Sequence, residues 1–215
     1  MATAGPVWAV VVAAGRGERF GGPKQRRLIA GRTVVERSVA TACDVCDGVV
    51  AVLPPDDDQA VPGADVIVAG GATRSASVRA GLAAVPADAT VIVVHDAARP
   101  LAAPQLWRAA IAAVHAGADA ALCAVALTDT VKRVDGDRVV ATLDRGELVA
   151  VQTPQAFRAG ALRAAHDAAG DATDDGALVE AAGGTVVVVA GSAVNVKITH
   201  PHDLLVAEAL LAASS

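Results

Sequence analysis

Short aliphatic runs that alternate with alanine-rich helical stretches constrain this chain more than any other feature of its sequence. The runs predict strands at Trp8–Val12, Val49–Leu53, Val66–Ala69, Val91–Val94, Ala120–Val125 and Thr185–Val189. Helices are predicted at Val34–Ala42, Ser75–Ala84, Pro104–Ala116, Ala159–Ala169, Asp174–Ala182 and His202–Ala212. Several of the strands are apolar at consecutive positions, as strands covered on both faces are. The alternation implies an α/β fold: a mostly parallel twisted sheet flanked by helices, Rossmann-like in its layering. In such sheets ligands bind beyond the C-terminal ends of the strands, so the loops that directly follow strands are where chemistry is to be sought. A chain of 215 residues suits a single domain over 1–215 and can close its core without a disulfide or a metal.

One segment breaks the alternation. Thr130–Val134 and Arg138–Thr142 flank Asp135-Gly136-Asp137, a glycine-containing turn between two β-prone pieces. This predicts an inserted β-hairpin arm over 130–153, continuing toward Leu148–Thr153. A lone hairpin is marginally stable, so the arm is expected to pack on something, such as a second subunit.

Composition narrows the function classes. The formal net charge of −5 lacks the basic excess of a nucleic-acid-coating protein. No apolar run reaches the roughly 18 residues of a membrane span. No Lys or Arg precedes the apolar stretch Val7–Ala14, which argues against a secretory leader and for a cytoplasmic protein. The chain's length is also expected to leave no room for a second, fused catalytic domain. Cys43, Cys46 and Cys123 are too few for a disulfide framework. Cys43 and Cys46 form a C-x-x-C at the end of a predicted helix, the reverse of the redox context, and are expected to be partly buried thiols. The five histidines form no metal-ligand pattern.

The loop after the first strand carries the chemistry. It reads Ala13-Ala14-Gly15-Arg16-Gly17-Glu18-Arg19-Phe20-Gly21-Gly22-Pro23-Lys24-Gln25. Phe20 breaks the dinucleotide fingerprint, and Pro23 before Lys24 breaks the P-loop pattern. What remains is a glycine loop dense in cations. Arg16, Arg19, Lys24, Arg26, Arg27 and Arg32 place six of the 18 Lys and Arg residues within 17 positions, against one acid, Glu18. Glycines let a backbone approach a ligand and aim N–H groups at phosphate oxygens, so the loop is read as a polyphosphate site, with a solvated basic loop as the alternative.

The run A-A-G-x-G-x-R…P-K-Q from Ala13 to Gln25 resembles the signature of nucleotidyltransferases with a glycosyltransferase-A-like fold. Further motifs narrow the resemblance: Gly70-Gly71-Ala72-Thr73-Arg74-Ser75, His95-Asp96-Ala97-Ala98-Arg99-Pro100, Thr128-Asp129-Thr130-Val131-Lys132, Asp144-Arg145, Gln152-Thr153-Pro154-Gln155, Thr173-Asp174-Asp175 and Asn195-Val196-Lys197-Ile198-Thr199. In this order and spacing they are similar to the 2-C-methyl-D-erythritol 4-phosphate cytidylyltransferases of the non-mevalonate isoprenoid pathway. Arg26-Arg27, Ala72 and Val149 depart from the residues common at those places.

The resemblance implies that CTP and methylerythritol phosphate give a CDP-alcohol and pyrophosphate, with Mg2+. It also implies a homodimer in which the arm of one subunit reaches the site of the other. Arg19, Lys24 and Lys197 are then the expected catalytic cations. Base and ribose fall to the loop at Ala13, Ala14, Gly15 and Gly17 and to Gly71, with Ser77 as a polar contact or an ordinary first-turn helix residue. Asp96 is expected to meet the ribose or the Mg2+ carried by the nucleotide, and Asp96 with Arg99 could equally be a local ion pair. Thr130 and Arg145 would touch the alcohol phosphate across the dimer. His200, His202 and Asp203 are read as helix-start residues. Three alternatives stay open: a cytidylyltransferase for ribitol 5-phosphate, a nicotinamide-dependent reductase, which Phe20 opposes, and a nucleotide-binding module without activity.

Overall fold

A computed structural model describes residues 5–168, 172 and 174–213. Among these residues the strands are β1 (Val7–Val12), β2 (Leu28–Ile29), β3 (Arg32–Thr33), β4 (Gly48–Leu53), β5 (Val66–Ala69), β6 (Val91–Asp96), β7 (Ala120–Ala126), β8 (Lys132–Asp135), β9 (Arg138–Thr142), β10 (Val149–Arg158) and β11 (Val186–Ala190). The helices are α1 (Val34–Cys43), α2 (Arg74–Ala84), α3 (Pro104–His115), α4 (Ala159–Ala168), α5 (Asp175–Ala181) and α6 (His202–Ala212). Each predicted helix is present to within a residue or so. Thr173 and the Ala169 end of the predicted fourth helix lie outside the described residues.

Helix starts follow local chemistry. Thr33 caps α1 in a reciprocal box with Glu36, at 3.2 Å to the Glu36 amide and 2.8 Å back to its own. Asp174 accepts from the Ala177 amide at 2.9 Å to start α5, and Pro104 opens α3. Asp203 behaves as expected, accepting from the Thr199 and His200 amides at 2.7 Å each.

Seven strands form the main sheet in the order β11-β7-β10-β6-β1-β4-β5, and all but β10 run the same way. The chain builds β1, β4 and β5 outward, then returns to lay β6 on the other side of β1. That reversal opens a crevice between the C-terminal ends of β1 and β6. Alternation along the strands feeds two core layers. Ala9 and Val11 face Val35, Val39, Trp107 and Ile111, whereas Val10 faces Val78, Leu82, Ile92 and Phe157. A third, smaller cluster of Ile29, Val34, Ile198 and Ala207 joins β2, α1 and α6 to the segment before α6.

The structure corrects the expected arm. Leu148–Thr153 does not simply continue the hairpin: β10 enters the main sheet as a ten-residue antiparallel member between β6 and β7. Proline within a central strand ordinarily argues against that assignment. Here Pro154 falls where the β10 to β7 register shifts, between Gln152 and Gln155, so the bulge absorbs it. The hairpin proper is β8 with β9, and its Val134–Val139 cross-strand pair stands 55% and 56% exposed.

His95, next to last in β6, is fully buried against Trp107, with ring centroids 4.7 Å apart. Its Nε2 lies 3.2 Å from the Arg99 carbonyl and its Nδ1 3.3 Å from the Thr153 hydroxyl. The arrangement suits one neutral tautomer, with Nε2–H donating and Nδ1 accepting. Burial lowers its pKa from 6.5 to about 4. As pH falls from 6.5 toward 4, the unfolded chain takes up a proton that the folded chain refuses, so this contribution to stability is complete above 6.5 and lost through that window. Relative to His95→Gln, the wild type should lose about 2 kcal/mol between roughly pH 7 and 5. Urea unfolding at both pH values checks this, and parallel curves for the two proteins would refute it.

Candidate functional site

The loop after β1 holds its shape through glycine. Gly17 has φ 69°, and a Cβ there would stand 2.0 Å from the Gly22 carbonyl oxygen. The Gly17 carbonyl accepts from the Phe20 and Gly21 amides at 2.9 Å and from Gly22 at 3.2 Å. This knot presents Arg19 on an exposed 3-10 turn, Glu18–Phe20, and leads to a second such turn at Lys24–Arg26. Ala13 is buried, with its amide donating to Val52 at 2.8 Å, and Gly15 and Arg16 are exposed. The loop after β5 lies directly on this one, because a Cβ on Gly70 would meet the Ala14 Cβ at 2.3 Å.

The loop between β11 and α6 closes the site from the other side. Gln152 donates to the Ser192 carbonyl at 2.9 Å and accepts from its amide at 3.1 Å. Asn195, fully buried, donates to Gln152 Oε1 at 3.1 Å and to the Thr153 carbonyl at 2.9 Å. Arg99 donates to the Asn195 carbonyl at 2.7 Å, and the Ile198 amide donates to the Ala98 carbonyl at 2.8 Å. The Q-T-P-Q, H-D-A-A-R-P and N-x-K-I-T motifs are thus one interlocked unit. With Asn195 and Ile198 both buried, Lys197 between them is turned outward and stands 41% exposed.

Lys197 Nζ donates to Asp96 Oδ2 at 2.6 Å, while Arg74 Nε donates to Asp96 Oδ1 at 3.2 Å. Burial alone would raise the Asp96 carboxyl, but Lys197 and then Arg74 overcome it and hold it well below the usual carboxylate range. Lys24 reaches across to donate to the Ile198 carbonyl at 2.7 Å. Burial pulls the Lys24 pKa down, and the charges of Lys197 and Arg19 pull it further. Three cations from two distant segments therefore converge where an anion would relieve their repulsion. Arg74, Asp96, Thr153, Gln155 and Lys197 bound a small cavity of about 140 Å³ on the floor of this groove. A larger cavity of about 400 Å³, bounded by Leu82, Val85, Arg163 and His166, shares none of these residues.

Several expectations change. The Asp96–Arg99 ion pair is replaced by Asp96–Arg74 and Asp96–Lys197, and Arg99 serves the Asn195 carbonyl instead. The Ser77 hydroxyl is buried and spent on its own loop, donating to the Thr73 carbonyl at 2.9 Å and accepting from the Gly71 amide at 3.1 Å. It therefore shapes the exposed Gly71. Arg26 leaves the basic cluster for a bidentate pair with Asp57, at 2.6 and 2.9 Å. Thr130 is exposed on the arm, and Arg145 donates to the Thr128 carbonyl, so neither joins the central cluster within this chain. Cys46 is partly buried as expected, but Cys43 is exposed; burial pushes the Cys46 thiol up to about 12, against nucleophilic use. Sequence reading missed Arg74 as a site residue, although it stands within the quoted G-G-A-T-R motif.

The family model IspD, 2-C-methyl-D-erythritol 4-phosphate cytidylyltransferase, matches residues 7–213. A 2-C-methyl-D-erythritol 4-phosphate cytidylyltransferase of Frankia casuarinae is 48% identical over 216 residues, covering 96% of this chain and 81% of the relative. A "Bifunctional enzyme IspD/IspF" of Nitrobacter hamburgensis is 49% identical over 222 residues, covering 95% of this chain and 55% of the relative. The chain thus spans about half the length of the bifunctional relatives it matches. The crystal structure of the cytidylyltransferase from Thermus thermophilus superposes with a TM-score of 0.83 at 35% identity, covering 94% of this chain and 98% of that one. Among the described residues no helix is long and apolar enough to cross a membrane.

Proposed function

The chain belongs to the 2-C-methyl-D-erythritol 4-phosphate cytidylyltransferase family, and on that premise we propose that it transfers CMP from CTP to 2-C-methyl-D-erythritol 4-phosphate. A phosphate oxygen of the alcohol phosphate attacks the α-phosphorus of CTP, a new P–O bond forms, and the bond to pyrophosphate breaks. The nucleophile is anionic near neutral pH, so no strong general base is required. What the step requires is alignment and neutralisation of the charge on the α-phosphate and the leaving group. The observation that carries the reading is the convergence of Lys24, Arg19 and Lys197 beside the glycine loop, at the crevice between β1 and β6.

Arg19 and Lys24 face the triphosphate in this proposal, and Lys197 holds the incoming phosphate. The backbone of Ala13–Gly17 and of Gly71 borders base and ribose. Asp96 steers Lys197, because both its oxygens are engaged by cations. Mg2+ fits as an ion brought in on the nucleotide: among the described residues no group of three or more His, Cys, Asp or Glu could hold a metal alone. When bound, Mg2+ would neutralise phosphate charge.

Pyrophosphate release tests the reading. CTP with methylerythritol phosphate should release it quickly, and ribitol 5-phosphate or other nucleotides should do so far more slowly. Preference for ribitol phosphate would overturn the substrate, and silence with every pair would overturn the reaction. Lys24→Ala and Arg19→Ala should each lower turnover on the order of 10²–10³-fold; near-normal turnover in both would remove their assignment.

Homodimerisation through the arm completes the proposal. Val134, Val139, Val140 and Leu143 are exposed on and just after the hairpin, and Val149 is exposed at the start of β10, which leaves apolar surface for a second copy to cover. In such a dimer Thr130 and Arg145 of one subunit approach the alcohol phosphate of the other. Sedimentation velocity should show a dimer for the wild type and a monomer for Val134→Asp with Val139→Asp. The monomer should release pyrophosphate at least tenfold more slowly, and a dimer surviving both substitutions would exclude this interface.

A further inference from the structure

Behind the Lys197–Asp96 pair lies a row of charged groups that the reaction, as described, does not use. Arg74, the first residue of α2, also donates from Nη1 to Asp175 Oδ2 at 2.8 Å. The other Asp175 oxygen lies 2.9 Å from His166 Nε2. Asp175 is fully buried and the His166 side chain is 2% exposed, so water cannot stand in for either partner. Among the described residues the buried His166 Nδ1 has no hydrogen-bond partner, which places the ring proton on Nε2 as the donor to Asp175. The row thus runs Lys197, Asp96, Arg74, Asp175, His166, with cations and carboxylates alternating and a hydrogen-bond donor at the buried end.

We propose that His166 and Asp175 are positioning residues that set how tightly Asp96 holds Lys197, and so how readily Lys197 turns to an incoming phosphate. The inference rests on the reading of Lys197 given above. Arg74 divides itself between two carboxylates. With the His166 donor in place, Asp175 is partly satisfied and Arg74 is shared with Asp96. Without that donor, the buried Asp175 carboxylate draws Arg74 toward itself, because an unpaired buried charge is costly. Asp96 then leans harder on Lys197 and competes better with phosphate. Neutralising Asp175 does the reverse: Arg74 turns fully to Asp96, and Lys197 is released. The two substitutions therefore act in opposite directions, which loss of packing does not produce.

The test uses the whole chain and three variants. His166→Leu should raise the half-saturating concentration of the alcohol phosphate about fivefold and leave that of CTP within twofold. His166→Gln, which keeps a side-chain N–H donor, should restore it. Asp175→Asn should lower it below the wild-type value. In the ligand-free proteins the Arg74 Nε–H resonance should shift in His166→Leu and return toward the wild-type position in His166→Gln. That measurement needs no turnover, so a wild-type protein inactive with both substrates would refute the functional reading, whereas the coupling of His166 to Arg74 would still be read from the resonance. Equal weakening by His166→Leu and Asp175→Asn would overturn the proposal, as would an Arg74 resonance indifferent to His166. If Asp175→Asn fails to fold, the His166 pair and the Arg74 resonance decide the question.

Discussion

The site depends on the docking of the segment before α6 onto the loop after β6. Lys197 is presented outward because Asn195 and Ile198, on either side of it, are held inward. Asn195 is held by hydrogen bonds to Gln152, Thr153 and Arg99, and Ile198 by burial and by its amide's bond to Ala98. The same segment supplies the Ile198 carbonyl that receives Lys24. Loosening this one joint would release both lysines, although they are far apart in the chain. These contacts are buried amide and guanidinium hydrogen bonds, each costly to leave half made.

Electrostatics explains why the groove is ready for an anion and yet stable without one. The chain as a whole is acidic, with 23 Asp and Glu against 18 Lys and Arg, but cations crowd around the loop after β1. A cluster of cations with no counter-charge would oppose folding through its own repulsion. Asp96 supplies that counter-charge with its two oxygens divided between Lys197 and Arg74, and Asp175 carries the balance further inward. The arrangement resembles a ligand site in which a protein carboxylate holds the place of a phosphate until one arrives.

The sequence made the layers legible because aliphatic runs and caps are local signals. Thr33 with Glu36, Pro104 and Asp174 mark helix starts within a few residues of themselves. The strand β10 was not legible, since Pro154 and the buried polar residues Gln152, Thr153 and Gln155 contradict the pattern of a central strand. Its support comes from neighbours on both sides and a bulge, neither of which a window of sequence contains. The glycine loop and its cations were legible as a place, but their division of labour was not. Arg26 and Lys24 look alike in sequence; Asp57 takes the first and Ile198 the second. Arg74 and Lys197 find their carboxylate partners about a hundred residues away, where no spacing rule reaches.

One strand, β10, belongs to two places at once. Its first residues leave the hairpin arm to pair with Ala126–Cys123 of β7, and its later ones pair with β6 beneath the site. A slip of one position would turn every side chain of the strand to the opposite face, removing Thr153 from His95 and Gln152 from Ser192. Length changes are therefore forbidden in the strand itself, whereas at the exposed Gly136-Asp137 tip they leave this register untouched. Evolution can lengthen or trim the hairpin at its far end, while the anchored root keeps the side chains beneath the site in register.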